Sequence, residues 1–178
     1  NYSTTSNFYN RQIFYNYKES PSVWSVVELL AFSDFIDFYA HYYEFFNLKC
    51  EYTPHFDSVR RLRNAAAHNA CMLSNFKSQN CFHPDIETNF ELLGANLGIG
   101  NGIISTCMKV PVLNDFAVML SNYTKLVSSP KVKEKTFEEM ISFFDGRMIL
   151  HKDYFENISE IKNAYTFARS VLEFYSKK

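Results

Sequence analysis

The chain has 178 residues, 47% of them hydrophobic and 17% aromatic, with a formal net charge of −1. That is enough apolar material for one sizeable globular core, and the near-zero charge excludes a global basic field, so any nucleic-acid contact has to come from a local patch. The cysteines Cys50, Cys71, Cys81 and Cys107 have no paired spacing and no leader peptide is visible, which favours reduced thiols in the cytoplasm over a disulfide scaffold. Glu28, Asp34 and Asp37 interrupt the apolar segments before the roughly 20 residues of a membrane span, so no transmembrane helix and no membrane partner are expected. The sequons at Asn1, Asn122 and Asn157 read as chance occurrences. Because the chain starts at Asn1 without an initiator methionine, residues 1–178 are taken as a single domain forming the C-terminal part of something longer.

After a polar start at Asn1 to Ser6, apolar residues Phe8, Ile13, Phe14 and Tyr17 predict a helix over Asn7 to Lys18. Ser20 and Pro21 resemble an N-cap and a first helical position. The next helix is then predicted to run unbroken to about Phe46, with Asp34, Asp37, His41 and Glu44 on its solvent face. In such a helix Glu28 neighbours Trp24, Ala31, Phe32 and Phe35, so its carboxylate points into apolar surroundings and needs a cationic or hydrogen-bonding partner. A helix follows from His55 to about Asn75, and another over Asp85 to Leu97. Gly94, Gly98, Gly100 and Gly102 predict a hinge or close-packed turn; with no preceding strand and no terminal Lys-Ser/Thr they do not make a phosphate loop. Pro111 opens a helix that Ser128, Ser129 and Pro130 close, Lys131, Lys133 and Lys135 precede one over Phe137 to Ile149, and the last runs from Ile158 to Tyr175. No strand and no repeat emerges, so the expected architecture is an all-α helical bundle.

The segment from Arg60 to Asn75 concentrates the chemistry. It holds Arg60, Arg61, Arg63, Asn64 and His68 around Ala65 to Ala67, and the alanines favour helix while leaving room for a large ligand such as a phosphate. At about 100° per residue Asn64 and His68 share a face, while Arg63 lies about 140° from His68 and can curl toward it. Spacing alone is equally the pattern of a basic amphipathic helix with a satisfied histidine. Cys71, Cys81, His83 and His55 match no paired zinc-ligand spacing, and Cys71 has no third group to orient His68 as its base. No metal site and no cofactor are expected.

The run L-R-N-A-A-A-H-N at Leu62 to Asn69, followed by Met72, Leu73 and Asn75, resembles the ribonuclease motif of the HEPN superfamily. Three further stretches are similar to the abortive-infection (Abi-like) branch: P-S-V-W-S-V-V-E-L-L-A-F at Pro21 to Phe32, V-P-V-L-N-D-F-A at Val110 to Ala117, and H-K-D-Y-F-E-N at His151 to Asn157. The chain departs from the family pattern at Asn69 and Cys71, where many members have a second histidine and an arginine, and at Ser33, where glycine is common. The resemblance implies a HEPN-like helical bundle and a metal-independent endoribonuclease acting as a toxin-like phage-defence effector in a prokaryotic cytoplasm. It also implies a homodimer, since one histidine does not easily serve as both base and acid. An RNA or protein antitoxin is a further expected partner.

For that chemistry His68 is the expected proton carrier. Arg63 faces the growing phosphate charge, and Asn64 orients the imidazole or the phosphate. Glu28 is expected to hold Arg63 or Asn64 by a charge-assisted hydrogen bond, and Arg60, Arg61 and Asn69 are expected RNA contacts. The competing expectation is a non-catalytic module that binds RNA or protein through the same helix.

Overall fold

The computed structural model describes residues 15, 19–20, 22–49, 53–74, 76, 78–79 and 82–178. Within them the fold is all-α: α1 Val23–Leu29, α2 Phe32–Phe45, α3 Thr53–Ala67, α4 Ile86–Gly94, α5 Asn101–Met108, α6 Pro111–Leu126, α7 Pro130–Asp145 and α8 Ser159–Ser176, with short 3-10 turns at Met72–Ser74 and Lys152–Phe155. The helix expected over Asn7 to Lys18 lies outside the described residues, apart from Tyr15. The chain divides into two units, Asn1–Thr53 and Pro54–Lys178.

In the first unit the expected continuous helix is broken. Ser22 caps α1 by accepting from the Ser25 amide, but Leu30 and Ala31 are extended, with ψ near 139° and 152°, and the chain restarts as α2. Leucine and alanine both favour helix, so no local preference accounts for this break. It sets Ala31, Phe32 and Phe35 beyond the end of α1, and Trp24 is 71% exposed. The expected solvent face of α2 is borne out: Asp34, Asp37, His41 and Glu44 are all exposed. α2 ends where Asn47 takes a left-handed φ of 51°, with Leu48 N–H donating to Tyr43 O and Asn47 N–H to Glu44 O, the paired bonds of a Schellman cap.

The second unit is built around α6 and α8, which pack on each other and, with α4, α5 and α7, enclose the core. Pro111 sits in the first turn of α6 and Pro130 in that of α7, where the missing N–H costs nothing. Leu92, Ile104, Leu120, Phe167 and Leu172 are at most 1% exposed; burying each such side chain contributes about 1.5–3 kcal/mol. Two boundaries differ from expectation. Lys131, Lys133 and Lys135 lie inside α7, because Pro130 starts the helix earlier than the apolar period does. The helix does not reach Ile149 but stops at Asp145, where Asp145-Gly146-Arg147 is the interruption the sequence offers: at Gly146, φ is −107° and ψ −86°, and an added Cβ would lie 2.9 Å from Ser142 O. The glycine-rich stretch makes a turn at Gly98, with φ +70°, and then enters α5, a helix its glycines conceal.

At the far end of this unit, Tyr175 donates to Glu91 Oε2 at 2.5 Å and Lys178 pairs with Oε1. Partial burial raises the Glu91 carboxyl, but the hydrogen bonds from Lys178 and Tyr175 outweigh it and leave the group below its ordinary value. No single described helix is long and apolar enough to cross a membrane.

Candidate functional site

α3 carries two polar sets, divided along its length. On its buried side, residues three apart face α6. His55, 6% exposed, donates from Nδ1 to Asn122 Oδ1 at 3.0 Å and brings Nε2 to 3.4 Å from Asp85. Asp85 caps α4 by accepting from the Thr88 amide, and its own N–H donates to Asn114 Oδ1. Nearly two turns further along α3, Arg61 grips Asp115 with two bonds, Nε to Oδ2 at 2.8 Å and Nη2 to Oδ1 at 2.6 Å, while Nη2 also donates to Ser58. The Asp115 side chain is only 4% exposed. A bidentate guanidinium supplies the partners such a buried carboxylate requires. The hydrogen bonds and charge of Asp115 raise the Arg61 guanidinium above its ordinary value against partial burial.

This seam was not anticipated, yet its signals are in the sequence. His55, Ser58 and Arg61 fall three apart, and Asn114/Ser121 and Asp115/Asn122 repeat at seven, which puts each set on one helical face. Arg61, expected to contact RNA, is tied to Asp115 while its side chain stays 49% exposed. Asn122, a sequon residue, is 2% exposed, so a glycan cannot be attached there in the folded chain.

At the C-terminal end of α3 the picture reverses. Arg63, Asn64 and His68 are all exposed. Arg63 Nη1 donates to Asn64 Oδ1 at 3.1 Å, and the His68 ring has no hydrogen-bond partner among the described residues. Arg60 pairs with Asp57 at 2.7 Å. Of the three arginines of this helix, then, Arg63 is the one with no carboxylate within ion-pair distance among the described residues.

The helix does not continue to Asn75 as expected. It ends at Ala67, and His68 and Asn69 form the closing turn. Asn69 adopts φ 49°, its N–H donates to Ala66 O and that of Ala70 to Ala65 O, a second Schellman cap. Asparagine tolerates the left-handed region better than most residues, so Asn69 has a backbone task in addition to whatever its exposed amide meets. This places the motif at the negative end of the α3 dipole. An anion bound here receives nothing from helix amides and must rest on side-chain cations. The Glu28 side chain lies outside the described residues.

Beside Arg63 lies a cavity of about 460 Å³. Its walls come from α3, α6, α7, α8 and the turn at Met72. Among the described residues no group of three His, Cys, Asp or Glu side chains is placed to hold a metal ion.

These features define an all-helical protein with an exposed Arg/Asn/His set at one helix end. Comparison with protein-family models, with curated proteins and with solved structures finds no match.

Proposed function

We propose that this chain is a metal-independent endoribonuclease of the HEPN, Abi-like kind, acting as a homodimeric, toxin-like phage-defence effector in a prokaryotic cytoplasm under RNA or protein antitoxin control. The observation that carries this reading is that Arg63 has no carboxylate partner among the described residues: its neighbours Arg60 and Arg61 are bound to Asp57 and Asp115, while Arg63 stands exposed, bonded to Asn64 and about one and a half turns from His68. RNA supplies its own nucleophile. The 2′-hydroxyl attacks the adjacent phosphorus, the bond to the 5′ oxygen breaks, and the products are a 2′,3′-cyclic phosphate and a free 5′-hydroxyl. His68 of one protomer takes the 2′ proton and the partner's His68 returns one to the leaving oxygen. Arg63 meets the charge on the equatorial oxygens. With its carbonyl oxygen occupied by Arg63, Asn64 keeps its NH₂ to donate to the phosphate.

The test is incubation of the purified protein with mixed RNA in EDTA. Wild type leaves cyclic-phosphate ends, and His68→Ala loses at least ~100-fold in cleavage rate while keeping RNA affinity. A second reading, a non-catalytic RNA- or protein-binding module, draws on the unpartnered His68 ring, which nothing described orients for proton transfer. RNA binding without cleavage by wild type would establish it.

A further inference from the structure

The cavity next to Arg63 has a composition that a phosphodiester does not require. Sixteen described side chains line it, and all of these but Arg63 and Tyr165 are hydrocarbon or thioether groups. The Tyr165 hydroxyl is already committed, donating to Phe144 O at 3.2 Å. Among the described residues, the Arg63 guanidinium is therefore the one side-chain donor this wall still offers a ligand, the Tyr165 hydroxyl keeping only its acceptor side. Met72 and Met148, exposed by 41% and 38%, line it with Arg63 and Met119; methionine adapts to irregular chains.

An extruded nucleobase fits this wall poorly, because most of its polar edge would lose water and gain no partner among these side chains. A hydrocarbon chain loses nothing by entering. At roughly 30 Å³ per water-sized group, the volume holds up to about fifteen groups the size of a methylene. An exposed guanidinium on the wall of such a cavity, with no carboxylate partner among the described residues, completes the complement of an apolar chain ending in an anion.

We propose that the cavity binds a single-chain carboxylate amphiphile, a free fatty acid, with its chain between α3, α6 and α8 and its carboxylate on Arg63. The two species compete for Arg63, so a bound fatty acid also blocks a phosphate from that guanidinium. Binding itself does not depend on the chain being a ribonuclease and is measured without RNA.

The experiment is calorimetric titration of the whole chain with dodecanoate below its micelle concentration, beside dodecyltrimethylammonium, which has the same chain and the opposite charge. Dodecanoate should bind one per chain and at least about tenfold tighter than the cation, and Arg63→Gln should erase that preference. Ala66→Phe, an exposed position on the cavity wall, should weaken both ligands about tenfold; a melting curve shows that each variant is folded. Affinity should rise about threefold to fourfold per added methylene and level off near the chain length that fills the cavity. Equal affinity for the two head groups overturns the proposal, as does indifference to Ala66→Phe. It fails equally if binding occurs only to anionic phospholipid vesicles, or if the chain is a dimer in buffer and takes up no dodecanoate because a second copy fills the groove.

Discussion

The two ends of α3 hold the same kinds of side chain in opposite states. Toward its N-terminus a histidine reaches Asn122 and Asp85, an arginine grips Asp115 and a serine accepts from that arginine, and the acceptors on α6 are almost fully buried. Two turns later an arginine, an asparagine and a histidine stand in solvent with one hydrogen bond between them. Residue type does not separate these sets; commitment to a partner does. A polar residue whose donors are satisfied by a buried acceptor holds the fold. One whose donors remain free can meet a ligand, and the difference depends on what the facing helix supplies.

The contrast breaks most visibly through His68→Ala. Cleavage should fall at least ~100-fold with the melting temperature unchanged, and a lowered melting temperature would move His68 into the structural set. Arg61→Met should behave in the opposite way. It strands the buried Asp115 carboxylate, so denaturant unfolding should show a loss of about 2–4 kcal/mol, while RNA affinity per folded molecule stays near wild type. If Arg61→Met instead weakened RNA binding and spared stability, the division of α3 would be misplaced.

Acid tests a different committed group. Glu91 has a folded-state pKa below its unfolded value, so its stabilising contribution is complete above the ordinary carboxylate range, near 4.3. That contribution is lost as pH falls through the folded value. Urea midpoints measured downward from pH 6 should drop in this window, and the drop should be shallower in Tyr175→Phe, which removes one of the bonds to Glu91. The smallest effect belongs to the cap. Asn69→Ala, forced to hold φ 49°, should cost about 1 kcal/mol, whereas Asn69→Gly should be neutral or slightly stabilising. Calorimetric melting of the two variants distinguishes a backbone role from a side-chain one.

Much of the fold is legible in the residues. Apolar period and the absence of strand patterns give the all-helical class, Pro111 and Pro130 mark helix starts because proline suits a first turn, and Ser159–Ser176 lies within one residue of the expected last helix. The exposure of Asp34, Asp37, His41 and Glu44 also follows from their spacing. The break at Leu30 was not legible, because both residues there favour helix. Nor was α5 behind its glycines, whose low propensity is outweighed when Ile104, Cys107 and Met108 can be buried.

For the candidate site, the sequence by itself determined that Arg63, Asn64 and His68 fall within about one and a half turns of each other, since helical geometry is local. It also marked a local basic patch in a chain of near-zero net charge. Only the tertiary structure decided which of the three neighbouring arginines has no carboxylate partner among the described residues, because Asp115 reaches Arg61 across 54 residues of chain. It also decided that the motif sits at a capped helix end beside an apolar cavity. The physical reason is the same in both cases: helix formation depends on neighbours in sequence, whereas satisfaction of a charge and enclosure of a volume depend on neighbours in space.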